Sequence, residues 1–181
     1  MIIGITGHTS GIGKGLSDFY TQRGDTVLGF SRTNGFDLST DDAINKVATV
    51  VASRCDVFFN NAYADMAQVK LMYKIHAVWE HMADKTHVVI GSRAADAMHR
   101  KPQYYAITKA AIDDAAQQLQ ISARYRLINV RPSWTRTPMG LMRRDANDIF
   151  IEVKPFVQFI DSLVANRNFR IANVSIDPNV A

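Results

Sequence analysis

The chain has 181 residues, 47% hydrophobic and 21% charged, the composition of an ordinary globular protein with one domain spanning 1–181. Twenty-one Lys and Arg stand among seventeen Asp and Glu for a net charge of +4. These charges form no basic stripe or tail, so no nucleic-acid partner is expected. Cys55 is the single cysteine, which excludes an intrachain disulfide and argues against a cysteine-held metal. The stretch 1–7 has no basic n-region and no apolar run approaches the ~20 residues that cross a bilayer. No membrane partner is expected, and the cytoplasm is the expected location.

Short apolar runs at 1–6, 26–31, 56–60, 87–92, 126–130 and 169–176 read as strands buried on both faces. Amphipathic stretches at about 12–23, 40–53, 66–83, 103–123 and 147–165 read as helices. Alternating strands and helices predict an α/β fold: a doubly wound parallel sheet, Rossmann-like, in three α/β/α layers. Its ligands are expected beyond the carboxyl ends of the strands.

The first strand runs into Thr6-Gly7-His8-Thr9-Ser10-Gly11-Ile12-Gly13, and a helix follows. Glycines there permit a tight turn and close approach of backbone to a pyrophosphate seated at a helix N-terminus. Gly7, Thr9, Ser10, Gly11, Ile12 and Gly13 are therefore candidate cofactor residues. At the tip of the second strand stand Ser31, Arg32 and Thr33, with no acid. An acid there would take the ribose hydroxyl of NAD, whereas a guanidinium suits the 2′-phosphate of NADP. NADP(H) is expected in preference to NAD(H). Between Ser31 and Asp37 too few residues remain for the dozen or so of a parallel crossover. Either 35–38 make a very short strand, or the sheet lacks one at that edge.

Several stretches together resemble the short-chain dehydrogenase/reductase family, in a compact form. They are the Thr-Gly-x-x-x-Gly-x-Gly loop, Asp37-Leu38, Asn60-Asn61-Ala62, Gly91-Ser92, Tyr105-x-x-x-Lys109, and Pro132-Ser133-Trp134-Thr135-Arg136-Thr137-Pro138-Met139. They follow the family's order and reach from residue 1 to about 176. The resemblance implies an oxidoreductase that interconverts a carbonyl and an alcohol with NADP(H). It gives catalytic roles to Ser92, Tyr105 and Lys109. It adds Asp37, Leu38, Asn60, Asn61, Ala62, Pro132 and Thr137 to the cofactor residues, which Tyr105 and Lys109 also contact. Tyr105 and Lys109 are four residues apart and share a helix face. A phenol ordinarily titrates near ~10, and a neighbouring ammonium favours the phenolate.

The sequence departs from that pattern. No asparagine occurs between Asn61 and Asn129, where the family places a fourth active-site residue; Gln68 has suitable chemistry, His76 less so. Tyr63 stands where the family has glycine, and Ser133 follows Pro132 in place of another. Tyr104, one residue before Tyr105, is read as a packing or rim residue. His99-Arg100-Lys101 form a basic cluster near the expected mouth, read as a solvated loop. Trp134, Met139 and Met142 are either an apolar substrate wall or core. The helix from Val69 to Met82 is apolar over more than one stripe, so a homodimer or homotetramer is expected. The partner otherwise implied is a small carbonyl or alcohol substrate. The competing reading is a non-catalytic NADP(H)-binding sensor or regulatory protein on the same fold.

Overall fold

The computed structural model describes residues 1–97, 103–142 and 148–179. Six strands form one sheet: β1 (Ile2–Thr6), β2 (Thr26–Phe30), β3 (Val57–Asn60), β4 (Thr86–Ile90), β5 (Arg126–Pro132) and β6 (Asn173–Ile176). Their order is β2-β1-β3-β4-β5-β6 and every neighbouring pair is parallel. The connections carry helices α1 (Gly11–Gln22), α2 (Asp41–Arg54), α3 (Ala67–Trp79), α4 (Tyr104–Gln120), the single turn α5 (Pro138–Leu141) and α6 (Val153–Ala165). The expected doubly wound sheet is present.

Two cores flank the sheet. On one face α2, α3 and α4 bury Ile44, Leu71, Trp79, Ile112 and Leu119 against Phe58 and Val89. On the other, α1 and α6 bury Leu16, Tyr20, Phe156 and Ile160 against Ile3, Ile5 and Phe59. Adjacent residues of β3 thus serve opposite layers, as the strand's two-residue period requires. Burying each such aromatic contributes roughly 1.5–3 kcal/mol. The start of α2 is capped by Thr40, whose hydroxyl accepts from Ala43 N at 3.3 Å, with Asp41 and Asp42 in the first turn.

The edge left open by the sequence has no strand. Residues 31–40 contain a 3-10 turn, Arg32–Asn34, and then lead into α2, so β2 is the sheet edge and the chain crosses over β1 to begin β3. The order in which strands join the sheet reverses at β1, which sets a crevice between β1 and β3 at their carboxyl ends.

Several boundaries move; the helix expected over 66–83 ends at Trp79 and the strand expected over 126–130 runs on to Pro132. The helix expected over 147–165 begins at Val153. Residue 147 lies outside the described residues, and Ile151 is engaged by its backbone, donating to Trp134 O at 2.8 Å and accepting from Arg136 N at 2.9 Å. The strand expected over 169–176 is confined to Asn173–Ile176.

His87 lies in β4 with no exposure, its ring against those of Phe58, Trp79 and Tyr125. Neither ring nitrogen has a hydrogen-bond partner among the described residues. Burial pushes the imidazole down to about 3. An unfolded histidine titrates near ~6.5, so acid protonates the unfolded chain first. Stability from this group is complete above that value and is lost as pH falls towards about 3. Between about pH 7.5 and about pH 4.5 the wild type should lose about 2–3 kcal/mol more than His87→Leu. Urea unfolding at both pH values measures this, and parallel losses would contradict it.

Candidate active site

The carboxyl ends of the strands open into a cleft of about 1280 Å³. Thr6 organises its floor. The Thr6 hydroxyl accepts from Asn61 N at 2.9 Å and Ala62 N at 3.0 Å, and donates to Phe59 O at 3.4 Å. Asn61 Nδ2 returns a bond to Thr6 O at 3.0 Å. This mutual fastening locks the end of β3 to the glycine loop after β1. Gly7 has φ +72, a left-handed backbone that side chains disfavour. A Cβ on Gly13 would stand 2.1 Å from Gly7 O, so the first turn of α1 can rest on the loop only with glycine there.

The N-terminus of α1 faces the cleft through Ser10, Gly11 and Ile12. Ser10 occupies the N-cap without making a side-chain cap bond, and no acid lies in the first turn. The unpaired N–H groups of that turn are therefore available to an anion. Arg32 is exposed on the lip. Beside it the Ser31 hydroxyl pairs with that of Thr33 at 2.8 Å, and Asn34 Oδ1 accepts from Ser31 N at 2.8 Å. Asp37, exposed, accepts from Ser39 N at 3.0 Å, which holds its carboxyl below the usual range, with help from Arg32.

At the other end, Ser92 follows β4 and its Oγ accepts from Ala94 N at 3.0 Å. The turn after it is anchored by Arg93 to Asp96 and Asp177, and by Arg131 to Asp96. Tyr105 and Lys109 come from α4. Lys109 Nζ lies 5.6 Å from the centre of the Tyr105 ring and is almost fully buried. It donates to Gln68 Oε1 at 2.7 Å and to Ile90 O at 3.0 Å. Burial pushes the amine down to about 7, and Asp113 pulls the other way. Tyr63 packs edge-on against Tyr105, ring centres 4.9 Å apart, with Lys109 Nζ 5.8 Å from its own ring.

The cleft gathers Ser92, Tyr105 and Lys109 with Gly7, Thr9, Ser10, Gly11, Ile12, Ser31, Arg32, Asp37, Leu38, Asn61, Ala62, Pro132 and Thr137. Two expected cofactor residues lie behind it. Gly13 is a packing residue beneath the loop, and Asn60 is fully buried, donating to Gln68 O at 2.8 Å. Thr137 caps α5 by accepting from Gly140 N at 3.1 Å, and its methyl group would touch a Cβ on Gly11. Tyr104 does not face the cleft; it donates to Asp65 and ties down the loop bearing Tyr63. Trp134 and Met139 line the cleft and are not core. Met142 is exposed. His99, Arg100 and Lys101 lie outside the described residues. Sequence reasoning gave no firm role to Gln68, whose reach to Lys109 depends on how α3 docks beside α4.

No family model matches the chain, and no curated protein does. Solved structures do. The fold is that of the short-chain dehydrogenases. A 3-alpha-hydroxysteroid dehydrogenase from Pseudomonas sp. B-0831, complexed with NADH, matches at TM-score 0.73 and 22% identity, over 98% of this chain and 95% of that one. A 3-ketoacyl-(acyl-carrier-protein) reductase from Brucella melitensis, complexed with NADH, matches at TM-score 0.77 and 15% identity, over 97% and 96%. A short-chain dehydrogenase from Sphingobium yanoikuyae in complex with NADPH matches at TM-score 0.75 and 18% identity, over 96% and 87%.

On this fold, the buried Lys109 has a consequence for stability. Its folded value is about 7, below the ~10.4 of an unfolded lysine, so between these values the unfolded chain holds more protons. Stability therefore rises with pH through that window. From about pH 7 to about pH 9 the wild type should gain about 2 kcal/mol relative to Lys109→Met. Denaturant unfolding reads this difference, and a flat difference would contradict the buried amine.

Proposed function

We propose that this chain is an NADP(H)-dependent oxidoreductase that interconverts a carbonyl and an alcohol, with Ser92, Tyr105 and Lys109 as its catalytic residues. The observation that carries the reading is the buried Lys109 amine beside the Tyr105 ring, in the same cleft as the glycine loop and Arg32. The residues present fit a dinucleotide. The bare N-terminal turn of α1 suits a pyrophosphate. Phe36 and Leu38 offer an apolar seat for an adenine, and Arg32 a cation for a 2′-phosphate. The nucleotides bound by the structural neighbours, NADH and NADPH, support a nicotinamide cofactor of either kind. The preference for NADP(H) rests on Arg32.

When bound, the reduced nicotinamide supplies the hydride. The Ser92 hydroxyl already accepts from Ala94 N, so its proton is free to be donated to the substrate oxygen. Tyr105 gives its phenolic proton to the same oxygen in reduction and takes it back in oxidation. The Lys109 ammonium stabilises the phenolate that Tyr105 becomes, and offers a donor to the ribose hydroxyls. The ring of Tyr63 covers one side of Tyr105 and limits water there. That covering ring also favours the second reading, a nucleotide-binding sensor, because it occupies space beside the reacting group.

The partner assigned to the exposed apolar residues Tyr73 and Val78 of α3, and Tyr104 and Ile107 of α4, is a second copy of the chain. Sedimentation should give a dimer or tetramer mass; a monomer at all concentrations would remove this assignment.

NADPH titration followed by fluorescence tests the cofactor. Arg32→Ala should weaken NADPH by about tenfold or more while leaving NADH unchanged. Equal losses for both would refute the role of Arg32. Tyr105→Phe should retain binding and lose turnover by about a hundredfold or more. Binding with no turnover of any carbonyl by the wild type would favour the sensor.

A further inference from the structure

Lys109 is gripped from inside the protein by a side chain whose orientation is fixed. Gln68 has no exposure. Both hydrogens of its Nε2 are taken by main-chain carbonyls, Asn60 O at 2.8 Å and Ile90 O at 3.1 Å. Its Oε1 is then the atom that meets Lys109 Nζ, at 2.7 Å. Turning the amide over would forfeit both carbonyl bonds and face a donor with a donor. Asn60 completes the unit by donating to Gln68 O at 2.8 Å. The end of β3, the start of α3, the end of β4 and the middle of α4 are thereby tied at one point.

An ammonium has three N–H donors. Among the described residues two are used, by Gln68 Oε1 and Ile90 O. That leaves one donor for the cleft, which Lys109 lines. The asparagine that the resemblance places in this site is missing from the sequence. Here a longer amide, Gln68, holds the lysine directly.

We propose that Gln68 is a positioning residue for the reaction: its Oε1 grips Lys109 directly and aims the remaining N–H at the bound ribose and Tyr105. The consequence for catalysis rests on the oxidoreductase reading above; the grip itself does not. The titratable groups facing Lys109 are Tyr105, Tyr63 and, one turn along α4, Asp113. Gln68 and Ile90 are uncharged, so a charge introduced at Gln68 will register.

The test is an NMR pH titration of the Lys109 side chain in protein carrying isotope-labelled lysine, with the signal assigned by its loss in Lys109→Met. NADPH affinity is measured on the same proteins. Gln68→Leu should lower the proton affinity of Lys109 by about tenfold or more, because an acceptor of a charge-assisted bond is gone. NADPH affinity should fall with it. Gln68→Glu, the same size with a carboxylate, should raise that proton affinity by about tenfold or more. If Gln68→Leu fails to fold, Gln68→Glu decides. An unchanged Lys109 titration in a folded variant would overturn the proposal, as would a shifted titration in Gln68→Leu with NADPH binding intact. If no nucleotide binds even the wild type, the functional reading falls while the lysine titration still judges the grip.

Discussion

A charged amine does not go into a protein interior without acceptors, and this site is arranged around that constraint. Lys109 is 3% exposed. Removal from water disfavours its ammonium, and the two acceptors at 2.7 and 3.0 Å offset that loss. Both acceptors depend on the sheet: Ile90 ends β4, and Gln68 is oriented by carbonyls at the ends of β3 and β4. The lysine therefore reaches its place only when the strands are paired and α3 and α4 are docked. A group brought close to pH 7 by burial is poised to lend or withhold charge beside a phenol.

The same logic holds at the other end of the cleft. Thr6 spends its hydroxyl on the backbone after β3, and Asn61 answers with its amide. These bonds set the glycine loop, and Gly13 lets α1 settle onto it. The N-terminal turn of α1 and the buried lysine thus line one crevice, at the point where strand order reverses.

Most of the fold was legible because buried parallel strands read as unbroken apolar runs and the helices between them are amphipathic. The missing edge strand was limited to two alternatives by chain length alone. What stayed hidden depended on contacts between distant segments. Asn60 sits in a motif that suggests a ligand, yet its side chain turns into the core towards α3. Gln68 gave only a chemical possibility, since an amide's partner is set by the docking of two helices. Ile151 belonged to an apparent helix, but residues 134–136 claim its backbone bonds. Tyr104 looked like an idle neighbour of Tyr105 and proves to fasten the loop of Tyr63.

The most direct measurement is a crystal structure of the protein grown with NADPH. We expect the pyrophosphate on the N-terminal turn of α1, the 2′-phosphate at Arg32, and a ribose hydroxyl bonded to Lys109 Nζ with the Gln68 contact intact. A nucleotide seated elsewhere, or a Lys109 that has let go of Gln68 to reach it, would contradict the central claim that one pre-set buried amine serves the cofactor and Tyr105 together.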